Sequence, residues 1–280
     1  MKLGMYSLEV QRPSSGELFY AIREYGFSQV QFDFASVCSE EMPENLEPGF
    51  VNNIYEQAKA KDVEIIAVNG TFNMIHPDAR VRLDGLKRLE VIAGACKALR
   101  CNLITLCTGT RNPGHMWSWH EDNLSPKAWE DLLVVMGKAL DIAERYNVLL
   151  GIECEASNCI NTPERARLLL DRFNSPRLGI IMDAANLFRP GTARKENFKG
   201  ILDNAFELLG KNVCLAHGKD VKEGEGLDFT YAGNGIVDFD YFVQKLREYG
   251  YSGGMLLHGI KDESLFPWSV SFIRDVLRRV

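Results

Sequence analysis

Four short apolar runs in the second half of the chain end on a side chain that can hold a cation or move a proton. They are LLGIE at Glu153, LGIIMD at Asp183, VCLAH at His217 and GMLLH at His258. Two carboxylates and two imidazoles suit one divalent ion of borderline character, such as Mn²⁺, Co²⁺, Fe²⁺ or Zn²⁺. A charge that closes an apolar run also needs a partner or a metal, because burying it alone is costly. If the four runs are neighbouring strands, about 4.8 Å apart, their end groups can converge on one point. The competing reading is four separate rim residues, each satisfied by its own loop; four in succession weigh against it.

The elements that must position these groups follow from the pattern of the whole chain. Eight apolar runs recur: Lys2–Ser7, Gln29–Phe34, Val63–Asn69, Leu103–Thr108, Val148–Glu153, Leu178–Asp183, Val213–His217 and Gly254–His258. Several are nearly continuous in Val, Ile, Leu and Met, as expected of strands covered on both faces in a parallel sheet. Helical patterns fill the gaps. The clearest runs from Pro126 to Tyr146, with Trp129, Leu132, Leu133, Met136, Leu140 and Ala143 on one stripe. Ser125-Pro126 and Thr162-Pro163 predict capped helix starts, and Gly26 and Gly250 predict helix stops. REYGFS at 23–28 and REYGYS at 247–252 read as one structural joint used twice. Eight βα units in series predict a single-domain (β/α)₈ TIM barrel over residues 1–280. An open doubly wound sheet is the alternative, but no GxGxxG follows the first run. Barrels carry their sites at the C-terminal ends of the strands. The five histidines, His76, His115, His120, His217 and His258, all fall outside predicted helices and are expected on that rim.

Composition narrows the function classes. The chain has 280 residues, 46% apolar and 25% charged, which excludes a disordered or collagen-like chain. A net charge of −6 argues against nucleic-acid binding through a strongly basic surface. No apolar run approaches the roughly 20 residues of a membrane span, and the N-terminus turns polar too early for a signal peptide. The seven cysteines (38, 96, 101, 107, 154, 159 and 214) include no CxxC, and most sit in apolar stretches. Buried thiols and a cytoplasmic location are expected.

The strand-end phrases, with HGKD at His217–Asp220 the most specific and GNGIVDF at Gly233–Phe239 before a late helix, resemble the sugar isomerase/epimerase superfamily with the xylose isomerase-like barrel. That superfamily includes tagatose and psicose epimerases, inosose-processing enzymes and the apurinic endonuclease IV fold, and the resemblance covers nearly the whole chain. It implies one divalent ion (Mn, Co, Zn, Fe or Mg) on Glu153, Asp183, His217 and the eighth-strand residue. That last residue is His258 here, where the family carries Glu. Asn186, in DAANL, stands where the family carries a His. The implied activity is isomerisation or epimerisation of a sugar, sugar phosphate or polyol through a metal-stabilised enediolate, in a homodimer or homotetramer. Glu153 and His258 are the candidate catalytic residues. A metal-bound imidazole is a poor acid–base group, so a one-base isomerisation with Glu153 as ligand and base survives the change better than a two-base epimerisation.

Other residues have two readings each. Glu155 is a base on the same side as Glu153 if the strand continues, or a rim charge if it has ended. Arg111, in TGTR, is a bidentate grip on phosphate or carboxylate, or a surface salt bridge. Lys219 is a point charge on substrate, or an ion pair with Asp220. Trp117 and Trp119 form a wall against a sugar face, or pack within their loop. His76 donates to a hydroxyl, or caps the next helix. Asn69 and Asn73 bind hydroxyls, or are turn residues. Three other functions compete: an inosose dehydratase-like lyase, an endonuclease IV-like hydrolase needing three metals, and a non-catalytic metabolite-binding barrel.

Overall fold

The apolar runs become strands because their alternate residues serve two different cores. In the computed structural model, which describes residues 1–37 and 40–280, they form β1 (Leu3–Tyr6), β2 (Gln29–Phe32), β3 (Glu64–Asn69), β4 (Leu103–Leu106), β5 (Leu149–Glu153), β6 (Leu178–Asp183), β7 (Val213–Val221) and β9 (Met255–Leu257). Each pairs in parallel with the next, and β1 pairs with β9, so the sheet closes into a cylinder. That closure removes the open-sheet alternative.

Eight α-helices among the described residues surround it: α1 (Ser15–Glu24), α2 (Pro48–Ala60), α3 (Ala79–Cys96), α4 (Pro126–Tyr146), α5 (Pro163–Phe173), α6 (Phe198–Leu209), α7 (Phe239–Glu248) and α8 (Phe266–Arg279). The fold is the (β/α)₈ TIM barrel that the pattern predicts. α4 has the predicted bounds. Its Ser125 cap accepts from Ala128 N at 3.2 Å, and the Thr162 cap of α5 accepts from Arg165 N at 3.3 Å. Gly26 and Gly250 end α1 and α7 with φ of +90° and +82°, so the repeated REYG phrase is one joint built twice.

Period-two alternation separates the cores. Leu150, Ile152, Ile180, Met182, Ala216, Met255 and Leu257 belong to the core shared with the helices. Ala67, Leu103, Ile181, Leu215 and Leu256, from five strands, form a second cluster. Gly4 admits Leu256, whose Cδ2 would lie 2.2 Å from a Cβ there. Continuing this second phase toward the C-terminal strand ends reaches Glu153, Asp183, His217 and His258.

One strand departs from expectation. β7 runs on to Val221, past the predicted end at His217, because β8 (Phe229–Tyr231) folds back antiparallel on Lys219–Val221. The turn that returns the chain is held by Asp220, whose carboxylate accepts from the backbone N–H groups of Val221, Gly233, Gly235 and Val237 at 2.8–3.0 Å. A Cβ at Gly235 would lie 2.2 Å from the Val221 carbonyl oxygen, so the turn needs glycine. Six described cysteines are free thiols, five of them buried; Cys38 lies outside the described residues. No helix among the described residues is long and apolar enough to cross a membrane.

Candidate metal centre and substrate pocket

The inward phase delivers one polar side chain from the C-terminal end of each barrel strand: Tyr6, Gln31, Asn69, Thr105, Glu153, Asp183, His217 and His258. All but Asp183 line a cavity of about 320 Å³ at the mouth, together with Glu41, Thr71, Cys107, Trp117, Glu155, Asn186 and Lys219. Asp183 is buried just behind them.

Glu153, Asp183, His217 and His258 each offer one ligand atom, and these atoms all lie within 4.8 Å of one another. Four-coordinate binding with bonds of about 2.1 Å would need donors about 3.4 Å apart, so the widest pair would have to draw in by up to about 1.4 Å. His258 Nε2 lies 2.9 Å from Asp183 Oδ2, and a cation there would displace the proton between them. Burial, then the neighbouring Lys219 charge, holds the His258 pKa below the ordinary imidazole value, which favours the neutral ligand form. Burial opposes ionisation of Asp183, but Lys219 and the bond to His258 outweigh it and hold that carboxyl well below the usual range. Asp183 Oδ1 meanwhile accepts from Ala185 N and Asn186 N at 2.9 and 3.3 Å.

His217 is oriented by a directional chain. The Thr105 hydroxyl donates to the Val68 carbonyl at 3.5 Å, and Gln31 Nε2 donates to that hydroxyl oxygen at 3.1 Å. Gln31 Oε1 therefore faces His217 Nε2 at 2.8 Å and accepts its proton. This fixes the tautomer and leaves a lone pair on Nδ1, which points at Glu153 Oε1 at 3.4 Å.

Three further groups complete the wall. Asn186 Nδ2 donates to Glu153 Oε1, and Lys219 Nζ donates to Asn186 Oδ1, both at 2.7 Å. Lys219 also lies 3.6 Å from Asp183 Oδ2. Burial penalises its charge, but Asp183, Glu153 and Glu155 more than offset this and raise its pKa. Its partner is Asn186 rather than Asp220, which serves the β7–β8 turn. Glu155 lies beyond the end of β5 yet still lines the cavity, where burial raises its pKa. Ser157 N and Oγ donate to it at 3.4 and 3.3 Å.

Arg111 does not line the cavity. Its guanidinium donates to Asp131 Oδ2 at 2.6 Å, buried against α4, because Asp131 gives it a carboxylate inside the fold. His76 does not reach the cavity: its Nδ1 accepts from Asp78 N at 3.0 Å, at the start of α3. His115 and His120 make the same local bond, to Trp117 N at 3.3 Å and Asp122 N at 3.2 Å. Asn73 staples a loop by donating to Thr110 O at 2.8 Å. Trp117 lines the cavity and Trp119 does not. Asn69 lines it while donating to buried Asp33, which also accepts from the Tyr6 hydroxyl.

Sequence reasoning missed Tyr6, Gln31, Thr105 and Glu41. For Gln31 in QVQF and Thr105 in LITL the signal was present: each is a polar residue inside a strand, in phase with the inward face.

Comparison with known proteins places the fold. A ketose 3-epimerase from Arthrobacter globiformis is 26% identical over 135 residues, which cover 47% of this chain and 42% of that protein. The match thus spans about two-fifths of the relative's length. A D-tagatose 3-epimerase-like protein superposes with a TM-score of 0.77 at 21% identity, covering 100% of this chain and 98% of the other. A xylose isomerase-like TIM barrel protein from Mycobacterium smegmatis, in complex with magnesium, superposes with a TM-score of 0.75 at 12% identity over 99% and 96%. At these identities the superpositions speak for the fold. The family model for xylose isomerase-like TIM barrels matches residues 19–276, and the chain belongs to that family.

Proposed function

We propose that this chain is a divalent-metal-dependent isomerase or epimerase of a small sugar or polyol, acting by proton abstraction beside a carbonyl. The observation that carries this reading is the convergence of Glu153, Asp183, His217 and His258 at the mouth of the barrel, facing a cavity of sugar size. The similarity to a ketose 3-epimerase and the epimerase-like neighbour supports the reaction class. Mn²⁺, Co²⁺, Zn²⁺, Fe²⁺ and Mg²⁺ are the candidate ions. Such an ion, when bound, would polarise the substrate carbonyl and adjacent hydroxyl and so make the C–H beside them more acidic.

The chain's own residues supply the rest. Glu153 is both a member of the donor set and the assigned base, and the Asn186 amide on Oε1 fixes the direction of its carboxylate. His258 replaces the carboxylate that would otherwise serve as a second base, and its lone pair belongs to the ligand set. Glu155 compensates: it brings a second carboxyl to the same cavity, with a raised pKa suited to holding and returning a proton. Lys219 and Asn186 are placed to meet substrate hydroxyls. Trp117 offers an apolar face.

The test is solvent exchange. The manganese-loaded protein is expected to incorporate deuterium from D₂O at the carbon beside a ketose carbonyl, and Glu153→Gln is expected to abolish the exchange. Full exchange in Glu153→Gln would refute the base assignment. No exchange across a broad sugar panel would refute the function.

A further inference from the structure

We infer that the substrate carries no anionic group: it is an uncharged ketose or polyol, not a phosphate ester or a sugar acid, and Glu41 at the rim helps to exclude anions. This rests on the isomerase or epimerase reading and narrows its substrate class.

The first observation is the charge of the wall. Glu41, Glu153 and Glu155 line the cavity, and Asp183 lies directly behind it. Among the described lining residues the one lysine or arginine is Lys219, and its charge already faces carboxylates of the chain. Its ammonium donates to Asn186 at 2.7 Å, faces Asp183 at 3.6 Å and packs over the Phe229 ring at 4.1 Å from the centroid. Glu153 and Asp183 would stand against the charge of a bound divalent ion and of Lys219, which lies 3.6 Å from Asp183 Oδ2. Glu41 is then left at the entrance. An incoming phosphate would meet a like charge with no free cation to answer it.

The second observation is independent of the first. Barrels of this architecture hold phosphate with backbone N–H groups in the loops after the seventh and eighth strands. Here those groups already serve carboxylates of the chain. Asp220 takes the amides of Val221, Gly233, Gly235 and Val237 after the seventh barrel strand. Glu9 takes those of Gly259 and Ile260 after the eighth. In both loops a carboxyl group of the chain, Asp220 or Glu9, already takes backbone N–H groups that could otherwise face an external anion. The remaining polar groups on the wall are uncharged: Tyr6, Asn69, Thr71, Thr105 and Asn186.

The experiment compares matched pairs on the manganese-loaded protein: free ketohexoses and pentuloses against their terminal phosphates for deuterium exchange, and sorbitol against sorbitol 6-phosphate for binding by calorimetry. The free sugars are expected to exchange at least tenfold faster, and sorbitol to bind at least tenfold more tightly. Glu41→Lys is expected to narrow both ratios severalfold, and Glu41→Gln to narrow them less. Faster exchange or tighter binding by the phosphates would overturn this inference and leave the proposed function standing. An unchanged ratio in Glu41→Lys would overturn the role of Glu41. Neither exchange nor binding by either class would overturn the functional reading and this inference together.

Discussion

Gln31 offers the sharpest test of how the proposed centre is assembled, because it touches the candidate ligand His217 from outside the donor set. Its Oε1 accepts from His217 Nε2 at 2.8 Å, which reserves the other ring nitrogen for a cation. Gln31→Leu removes that acceptor and leaves the buried His217 N–H without its partner. Loss of such an orienting contact typically weakens metal binding about 10–100-fold, or about 1.4–2.7 kcal/mol. The same change also breaks the 3.1 Å bond to Thr105 in a buried site. Two groups left short of a partner in the interior predict about 2–4 kcal/mol of lost stability. Gln31→Glu retains an acceptor at the same place and makes it stronger, so manganese affinity is expected to stay within a few-fold of the parent or to improve. The assay is competition with a chelator of known affinity, followed by Mn²⁺ electron paramagnetic resonance, alongside urea unfolding of the metal-free protein. Undiminished affinity in Gln31→Leu would refute the tautomer argument, and so would a glutamate variant as weak as the leucine one.

Glu9 gives a pH dependence. Burial raises its pKa from the ordinary 4.5 to about 8, and its Oε2 has no hydrogen-bond partner among the described residues. Folding therefore takes up a proton between these values. Stability is highest below the lower value and falls as pH rises through the upper one, by at most about 1.4 kcal/mol per pH unit. Glu9→Gln, which still accepts from Gly259 and Ile260, is expected to flatten the profile of denaturant midpoint between pH 5 and 8; an unchanged slope would show that the proton sits elsewhere. Arg111→Met is expected to cost about 1–3 kcal/mol of stability, because Asp131 loses its 2.6 Å partner while keeping Arg82 and Lys127. The KM of any substrate is expected to hold; a large rise in KM with unchanged stability would restore the substrate grip. Asp220→Asn puts an amide N–H against two of the four backbone donors it serves. It is expected to loosen the β7–β8 turn, read as faster hydrogen exchange at Gly233, Gly235 and Val237. Parental exchange rates there would contradict it.

The architecture was legible because two periods repeat without interruption. LLGIE and LGIIMD are apolar on both faces, α4 carries its stripe with its cap and its proline, and Gly26 and Gly250 mark equivalent stops. The four candidate ligands were legible for the same reason, since each closes an apolar run of the sequence. The first half of the barrel hid its contribution. Gln31 and Thr105 are uncharged and sit within strands, so only the inward phase set by later strands gives them a meaning. Glu41 comes from a loop, whose path no periodicity encodes. Arg111 and His76 lie away from the cavity: a cation and an imidazole on rim loops carry no mark of whether a buried Asp131 or a helix start will pair with them. Glu155 was ambiguous in sequence because the strand end decides its direction. β5 does end at Glu153, and the chain beyond it still turns Glu155 into the cavity.

The central claim is that Glu153, Asp183, His217 and His258 close on a single cation. An anomalous difference map of crystals soaked in manganese, recorded near the manganese edge, tests it directly. The account predicts one peak per chain, bonded at about 2.1 Å to a carboxylate oxygen of each acid and a ring nitrogen of each histidine. No peak at the barrel mouth, or a peak that leaves two or more of these side chains unliganded, would contradict it.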